Sequence, residues 1–189
     1  MIRIGILGDM GSGKSFVARS FGYPVFNADL EVSKLYKRSK KVFIKLRNKL
    51  PKYIKTFPIN KTEVTKAILS QDNNINKIVS IIHQEVRKQM YLFLKKNKNK
   101  KIVILDIPLL LENKINKKKD ILIFIDSKKI EIEKRLKKRP NFNRKLFNKF
   151  KKIQFKSSYK KKNSHYVIKN NFTKKNIKRD INNILSKIL

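Results

Sequence analysis

Eight residues near the start of the chain, Gly8-Asp9-Met10-Gly11-Ser12-Gly13-Lys14-Ser15, carry its most specific chemistry. They match G-x-x-x-x-G-K-[ST], the register in which loop amides cradle phosphates and a lysine reaches the outer ones. The hydroxyl of such a loop can ligate a magnesium ion that bridges the phosphates. Three of the chain's five glycines stand here, where glycine admits backbone angles closed to other residues and lets amides approach phosphate oxygens. The spacing predicts nucleotide phosphate binding by Gly8, Gly11, Ser12, Gly13, Lys14, Ser15 and Phe16, the last opening a short amphipathic stretch. A glycine-rich turn with an accidental lysine is the bland alternative. The strand-like run Ile2-Arg3-Ile4-Gly5-Ile6-Leu7 in front and the helical stretch behind oppose it, because the motif needs that context.

Further along, carboxylates and arginines fall where phosphoryl transfer would use them. Asp29 follows the short strand pattern Tyr23 to Phe26, at the strand end where open α/β sheets bind ligands. A carboxylate there can accept a proton from an attacking hydroxyl; a lone aspartate before a helical run is more often its N-cap. Asp106 closes the apolar run Ile102-Val103-Ile104-Leu105, as a carboxylate in the second shell of a magnesium ion does, and a structural role is equally open. Arg139 and Arg144 are arginines in a chain that favours lysine, and the planar guanidinium suits phosphate oxygens. They bracket the break at Arg139-Pro140-Asn141, a suitable place for a mobile flap over a nucleotide. Arg135 reads better as a solvated surface residue. His83 sits one helical turn before Arg87, with no second histidine or cysteine nearby to suggest a metal; a single helical histidine is more often structural than a ligand.

The elements that must hold these residues alternate between strand and helix. Apolar runs predict strands at 2–7, 23–26, 102–107, 121–126 and 166–168. Helical spacing covers 30–50 up to Pro51, then about 61–70 and 73–95, and later 127–138, 143–156 and 174–189. That alternation implies a doubly wound, parallel α/β sheet.

Composition narrows the class. The 189 residues suit one domain with a real core. The absence of cysteine excludes a disulfide framework and thiolate metal sites. No signal-peptide pattern opens the chain and no apolar run is long enough to span a bilayer, so a cytoplasmic protein without a membrane partner is expected. The net charge of +36, from 49 Lys+Arg against 13 Asp+Glu, points on its own to nucleic acid. Its distribution points elsewhere: lysines run along nearly every element, beside abundant Asn and Ile, as an A/T-rich coding bias would leave them. The clusters Lys95–Lys101 and Lys160–Lys162 lack the interleaved aromatics or arginines of an RNA platform. The charge reads mainly as solvated surface, with no specific nucleic-acid partner.

Taken in order, these segments resemble dephospho-CoA kinase, which phosphorylates a ribose 3′-hydroxyl to complete coenzyme A. Gly8 to Ser15 resembles the family's opening loop, and Asn27-Ala28-Asp29 its Asp-Ala-Asp segment, whose last residue implies Asp29 as general base. Ile59-Asn60-Lys61 with Ile68-Leu69 is similar to its hydrophobic–x–Arg stretch. His83-Gln84-Glu85-Val86-Arg87 resembles its His-Pro-x-Val-Arg signature, and Asp106-Ile107-Pro108-Leu109-Leu110-Leu111-Glu112 its Pro-Leu-Leu-x-Glu core. The resemblance thus implies acceptor binding by His83, Arg87, Pro108, Leu109, Leu110 and Glu112. Arg139, Arg144 and Gln154 fall at the spacing of its lid, and Tyr166 to Asn171 resembles the adenine-side strand, which adds Asn170 to the ATP-binding set.

What the resemblance implies is a single P-loop NTPase-type kinase domain over 1–189. Its core is about 1–29, 101–138 and 164–189, its helical substrate-binding region about 30–100, and its lid about 139–160. ATP and dephospho-CoA are the implied small-molecule substrates and Mg²⁺ the cofactor, on Ser15 with Asp106 in its second shell. Lys14, Asp29, Arg139 and Arg144 are the implied catalytic set. Several residues depart from the family pattern: Asn27 and Pro140 for acidic residues, Gln84 for proline, Lys61 for arginine, Phe172 for glycine. Asp9 puts a carboxylate inside the phosphate loop, where it repels anions unless it turns outward. A nucleoside or nucleoside-monophosphate kinase shares the loop and lid without needing Pro-Leu-Leu-x-Glu, and a basic nucleic-acid-binding protein with a vestigial loop is the rival outside enzymes.

Overall fold

A computed structural model describes residues 1–140 and 142–189; Asn141, in the expected flap turn, lies outside the described residues. The chain forms two compact units, Met1–Asn27 with Asn97–Asn143 and Lys149–Leu189, and Ala28–Lys96 with Arg144–Asn148.

The first unit is built on five strands, β1 (Ile2–Gly8), β2 (Val25–Asn27), β3 (Ile102–Asp106), β4 (Ile121–Asp126) and β5 (Tyr166–Lys169). They form one sheet in the order β2-β3-β1-β4-β5, with every pairing parallel. The isoleucine-rich runs are those of strands covered on both faces. Ile4, Ile6, Ile102, Ile104, Ile123, Ile125 and Ile168 form a core with Val17, Ala18 and Phe21 of α1 (Lys14–Ser20) and Ile177, Ile181 and Ile184 of α9 (Lys174–Ile188). Each fully buried isoleucine stabilises the fold by roughly 1.5–3 kcal/mol. Beneath β1, a Cβ on Gly5 would lie 2.7 Å from Leu110 Cδ2, so the glycine lets Leu110 pack against the strand. Arg3 and Asp120 form a buried ion pair at 2.9 Å.

The second unit is helical: α2 (Ala28–Arg38), α3 (Lys40–Lys49), α4 (Lys61–Ser70) and α5 (Asp72–Lys96), with the start of α7 (Arg144–Lys152). α2, α3 and α4 pack on α5, whose stripe Ile75, Ile78, Ile82 and Val86 is buried at helical spacing.

Several boundaries differ from the sequence expectation, among them the strand expected over 23–26, which forms at Val25–Asn27. The helix expected over 30–50 breaks at Ser39, which is extended and caps α3 by accepting from Val42 N at 3.2 Å. The helix expected over 127–138 starts at Lys129, as α6 (Lys129–Lys137). The helix expected over 143–156 ends at Lys152, and a separate short helix, α8 (Ser157–Lys162), follows.

Candidate phosphoryl-transfer site

β1 runs straight into the loop, and α1 begins at Lys14. Gly8 and Gly13 take φ values of 147° and 88°. A Cβ on Gly8 would lie 2.7 Å from Ser12 Oγ and 2.9 Å from the Ile125 carbonyl, while one on Gly13 would overlap Asn170 Nδ2. The loop is thus closed down to glycine dimensions on both sides. Its middle is pinned by Ser12, whose carbonyl accepts from Asn170 Nδ2 at 2.8 Å and from Ser127 Oγ at 2.9 Å. Lys14 Nζ donates to the carbonyls of Gly8 at 3.0 Å and Asp9 at 2.8 Å, which keeps the ammonium over the loop. Phe16 is half-buried against the core. Asn170, expected in the ATP-binding set, is 3% exposed and braces the protein: its amide holds Ser12, and its Oδ1 accepts from Phe172 N at 2.8 Å. Phe172, the departure from a family glycine, sits at φ 64°, a left-handed angle that favours glycine.

Ser15 joins a short polar chain. β2 and β3 place Asn27 opposite Asp106. Asn27 Nδ2 donates to Asp106 Oδ2 at 2.5 Å and to Ser15 Oγ at 3.4 Å. Asp106 is 3% exposed, so it needs that donor. With asparagine at 27, two carboxylates do not face each other across the strands. The hydroxyl and carboxylate are hard oxygen donors of the kind that suits a divalent cation with part of its water shell retained. Among the described residues, no group of three or more His, Cys, Asp or Glu side chains gathers as a metal cluster.

Asp9 does turn outward. Both its carboxylate oxygens accept from Ser157 Oγ, at 2.7 and 2.6 Å, which ties the phosphate loop to the first residue of α8. One turn later stands Lys160. Sequence placed it in a solvated cluster; the structure corrects this, because Lys160 is 1% exposed. Its Nζ lies 3.1 Å from Glu112 Oε1 and 3.4 Å from Gln154 Oε1. Nothing in the run Lys160-Lys161-Lys162 distinguishes the buried member by composition. The periodicity of a six-residue helix is too brief to expose it. Pro108 and Leu109 are half-buried, whereas Leu110 is fully buried, so its side chain serves packing. Through α8, Glu112 joins the loop, Ser15, Asp106 and Asn170 in one unit.

In the second unit, Asp29 is the second residue of α2, exposed in the first turn rather than at the N-cap. A negative charge is favoured there by the helix dipole. His83 is half-buried and Arg87 exposed, one turn apart on α5. Between them Glu85, its side chain 10% exposed, meets Lys45 at 3.3 Å and Lys41 and Lys88 at 3.7 Å. Burial pushes this carboxyl up, but the Lys45 hydrogen bond and the charges of Lys41, Lys88 and Lys45 outweigh it. Together they hold Glu85 below its ordinary range. Arg144 is exposed at the start of α7, its guanidinium 5.8 Å from the Phe147 ring centroid. Back in the first unit, Arg139 is exposed just past α6. Arg135 is also exposed, yet it lies 4.2 Å over the Phe172 ring, a cation–π contact that a purely solvated arginine lacks.

A parallel β2-β3-β1-β4-β5 sheet with a glycine loop, lysine and serine between its central strand and first helix defines a P-loop kinase. The dephospho-CoA kinase family model matches residues 2–176. The chain belongs to that family. The dephospho-CoA kinase of Wolbachia sp. subsp. Brugia malayi is 30% identical over 98% of this chain and 97% of its own length. Among solved structures, TT1252 from Thermus thermophilus shares the fold at a TM-score of 0.77 and 23% identity, covering 100% of this chain and 98% of that one. Dephospho-CoA kinase from Campylobacter jejuni shares it at 0.65 and 17% identity, covering 98% and 96%.

Proposed function

We propose that this chain transfers the γ-phosphoryl group of ATP to the ribose 3′-hydroxyl of dephospho-CoA, giving coenzyme A and ADP. The observation that carries the reading is the family match over residues 2–176, supported by a phosphate loop closed to glycine dimensions with the Lys14 ammonium held over it. The loop amides of Gly11 to Ser15 and the Lys14 ammonium bind the donor phosphates, as backbone dipoles and a point charge suited to the outer oxygens.

Asp29 accepts the proton of the 3′-hydroxyl as its oxygen attacks the γ-phosphorus and the bond to the β-phosphate oxygen breaks. Arg139 and Arg144 meet the negative charge that spreads over the phosphoryl oxygens. A bound Mg²⁺ would supply charge neutralisation at the phosphates. Ser15, through its hydroxyl, would hold it directly, and Asp106, linked to Ser15 through Asn27, would hold it through water. His83 and Arg87 are assigned to dephospho-CoA on their motif, as are Pro108, Leu109 and Glu112. The compartment of this reaction is the cytoplasm; among the described residues no helix is long and apolar enough to cross a membrane.

The test is direct. Purified protein with ATP and dephospho-CoA is expected to form coenzyme A, and Asp29→Asn to abolish turnover while ATP still raises the melting temperature. Formation of product from nucleosides or nucleoside monophosphates but not from dephospho-CoA would overturn the acceptor assignment. Retained turnover in Asp29→Asn would remove Asp29 as the base.

A further inference from the structure

Glu112 is held through only one of its two carboxylate oxygens among the described residues. Its side chain is 8% exposed, and the two donors that reach it converge on one oxygen: Phe155 N at 2.9 Å and Lys160 Nζ at 3.1 Å both meet Oε1. Oε2 is buried and has no hydrogen-bond partner among the described residues. A carboxylate that serves only to neutralise a buried lysine has no reason to leave one oxygen without a donor, because an unsatisfied buried acceptor is unfavourable. Lys160 itself is 1% exposed, and an ammonium is carried into an interior only when it is paired. Its i−3 neighbour on the same face of α8, Ser157, holds Asp9 of the phosphate loop. One short helix therefore grips the donor loop and the Pro108–Glu112 segment together.

We propose that Lys160 is a positioning residue for the acceptor: it fixes Glu112 through Oε1, so that Oε2 is kept for a hydroxyl or amide N–H donor of dephospho-CoA. The proposal rests on the assignment of Glu112 to acceptor binding. Because α8 holds Asp9 of the donor loop through Ser157, a bond separate from the Lys160–Glu112 pair, removing that pair leaves the Lys14 and Ser12 contacts of the loop in place.

The test compares wild type, Glu112→Gln and the double variant Glu112→Gln/Lys160→Met by calorimetric titration with dephospho-CoA, which needs no turnover, and by KM for each substrate. The double variant removes both buried charges at once, an exchange that a fold usually tolerates. It is expected to melt near wild type and to keep its KM for ATP within about twofold. Its affinity for dephospho-CoA should weaken about tenfold or more, the scale of one lost charge-assisted hydrogen bond. A double variant that melts near wild type and binds dephospho-CoA as tightly overturns the proposal, since the pair is then structural only. Should the double variant not fold, Glu112→Gln carries the test. It keeps Oε1 as the acceptor for Lys160 but turns Oε2 into a donor, and unchanged dephospho-CoA affinity overturns the proposal there too. Wild-type protein that binds dephospho-CoA without making coenzyme A sinks the reaction while leaving this comparison valid. Wild-type protein that does not bind it overturns both.

Discussion

Replacing Glu85 by glutamine should loosen the helical unit by an amount that salt and acid both control. Glu85 lies on α5 between His83 and Arg87, with its carboxylate 3.3 Å from Lys45 and 3.7 Å from Lys41 and Lys88. The lysine side chains are 37–61% exposed, so each pair must be discounted to the range of surface ion pairs, about 0.2–1 kcal/mol. Three such pairs on one carboxylate, with Lys45 also hydrogen-bonded, amount to about 2 kcal/mol; the variant leaves the three ammonium groups facing one another. For a chain of this size that corresponds to a fall in melting temperature of about 4–8 °C at low ionic strength. Near 1 M salt, where screening acts over about 3 Å, most of the difference should vanish.

The sign of the pH dependence follows from the same contacts. Glu85 is held below its ordinary value in the folded chain, so its contribution is fully present above the unfolded carboxylate value of about 4.3. It is lost as pH falls through the folded value. Melting curves of wild type and Glu85→Gln followed by circular dichroism should therefore differ at pH 7 and draw together as pH falls below the unfolded carboxylate value of about 4.3 and on through the folded value. A variant that melts within about 1 °C of wild type at low salt would refute the reasoning, given the expected scale of the pairs. So would a gap that persists undiminished at low pH.

Two further outcomes follow from the phosphate loop. Gly13→Ala forces a side chain onto Asn170 Nδ2 at a φ of 88°, so it should abolish the rise in melting temperature on adding ATP; an undiminished rise would mean that the loop tolerates a Cβ. Ser157→Ala removes the hydroxyl that holds both oxygens of Asp9. The freed carboxylate should raise the KM for ATP several-fold, up to about tenfold for a loss near 1.4 kcal/mol, and Asp9→Asn in the same background should restore it; an unchanged KM would show that Asp9 is held outward by other means.

The loop and the sheet were legible in the sequence because each has a signature stronger than its surroundings. Glycine is scarce in this chain, so Gly8, Gly11 and Gly13 in register stand out, and runs such as Ile102 to Leu105 have the length and β-branching of buried strands. The break at Ser39 was not legible, since Leu35, Val42 and Leu46 keep helical spacing across it and only the serine's capping bond marks the stop. α8 was hidden for a related reason: six residues, five of them Lys or Ser in a Lys-rich region, offer no apolar period to read. Asp9 looked adverse because sequence shows the charge but not its direction, and the direction is set by a serine 148 positions away.

Lysine charge carries little information in this chain because it is everywhere, and that shifts the information to the minority sign. Of 13 acidic residues, the four whose side chains are most enclosed each meet a specific donor: Asp120 meets Arg3 at 2.9 Å, Asp106 meets Asn27 at 2.5 Å, Glu112 meets Lys160 at 3.1 Å and Glu85 meets Lys45 at 3.3 Å. Burying a carboxylate is unfavourable without such a donor. In a chain with a nearly fourfold excess of cations, an acid at a strand end or inside a packed helix therefore marks where a cation or amide has been drawn in. Asp106 closing β3 and Asp120 leading into β4 could both be marked this way from sequence alone. Glu112 could be marked as well, but its partner could not: choosing Lys160 from among the lysines requires knowing that α8 folds one face inward. The acids locate the buried polar positions, and only the fold identifies which lysine answers each.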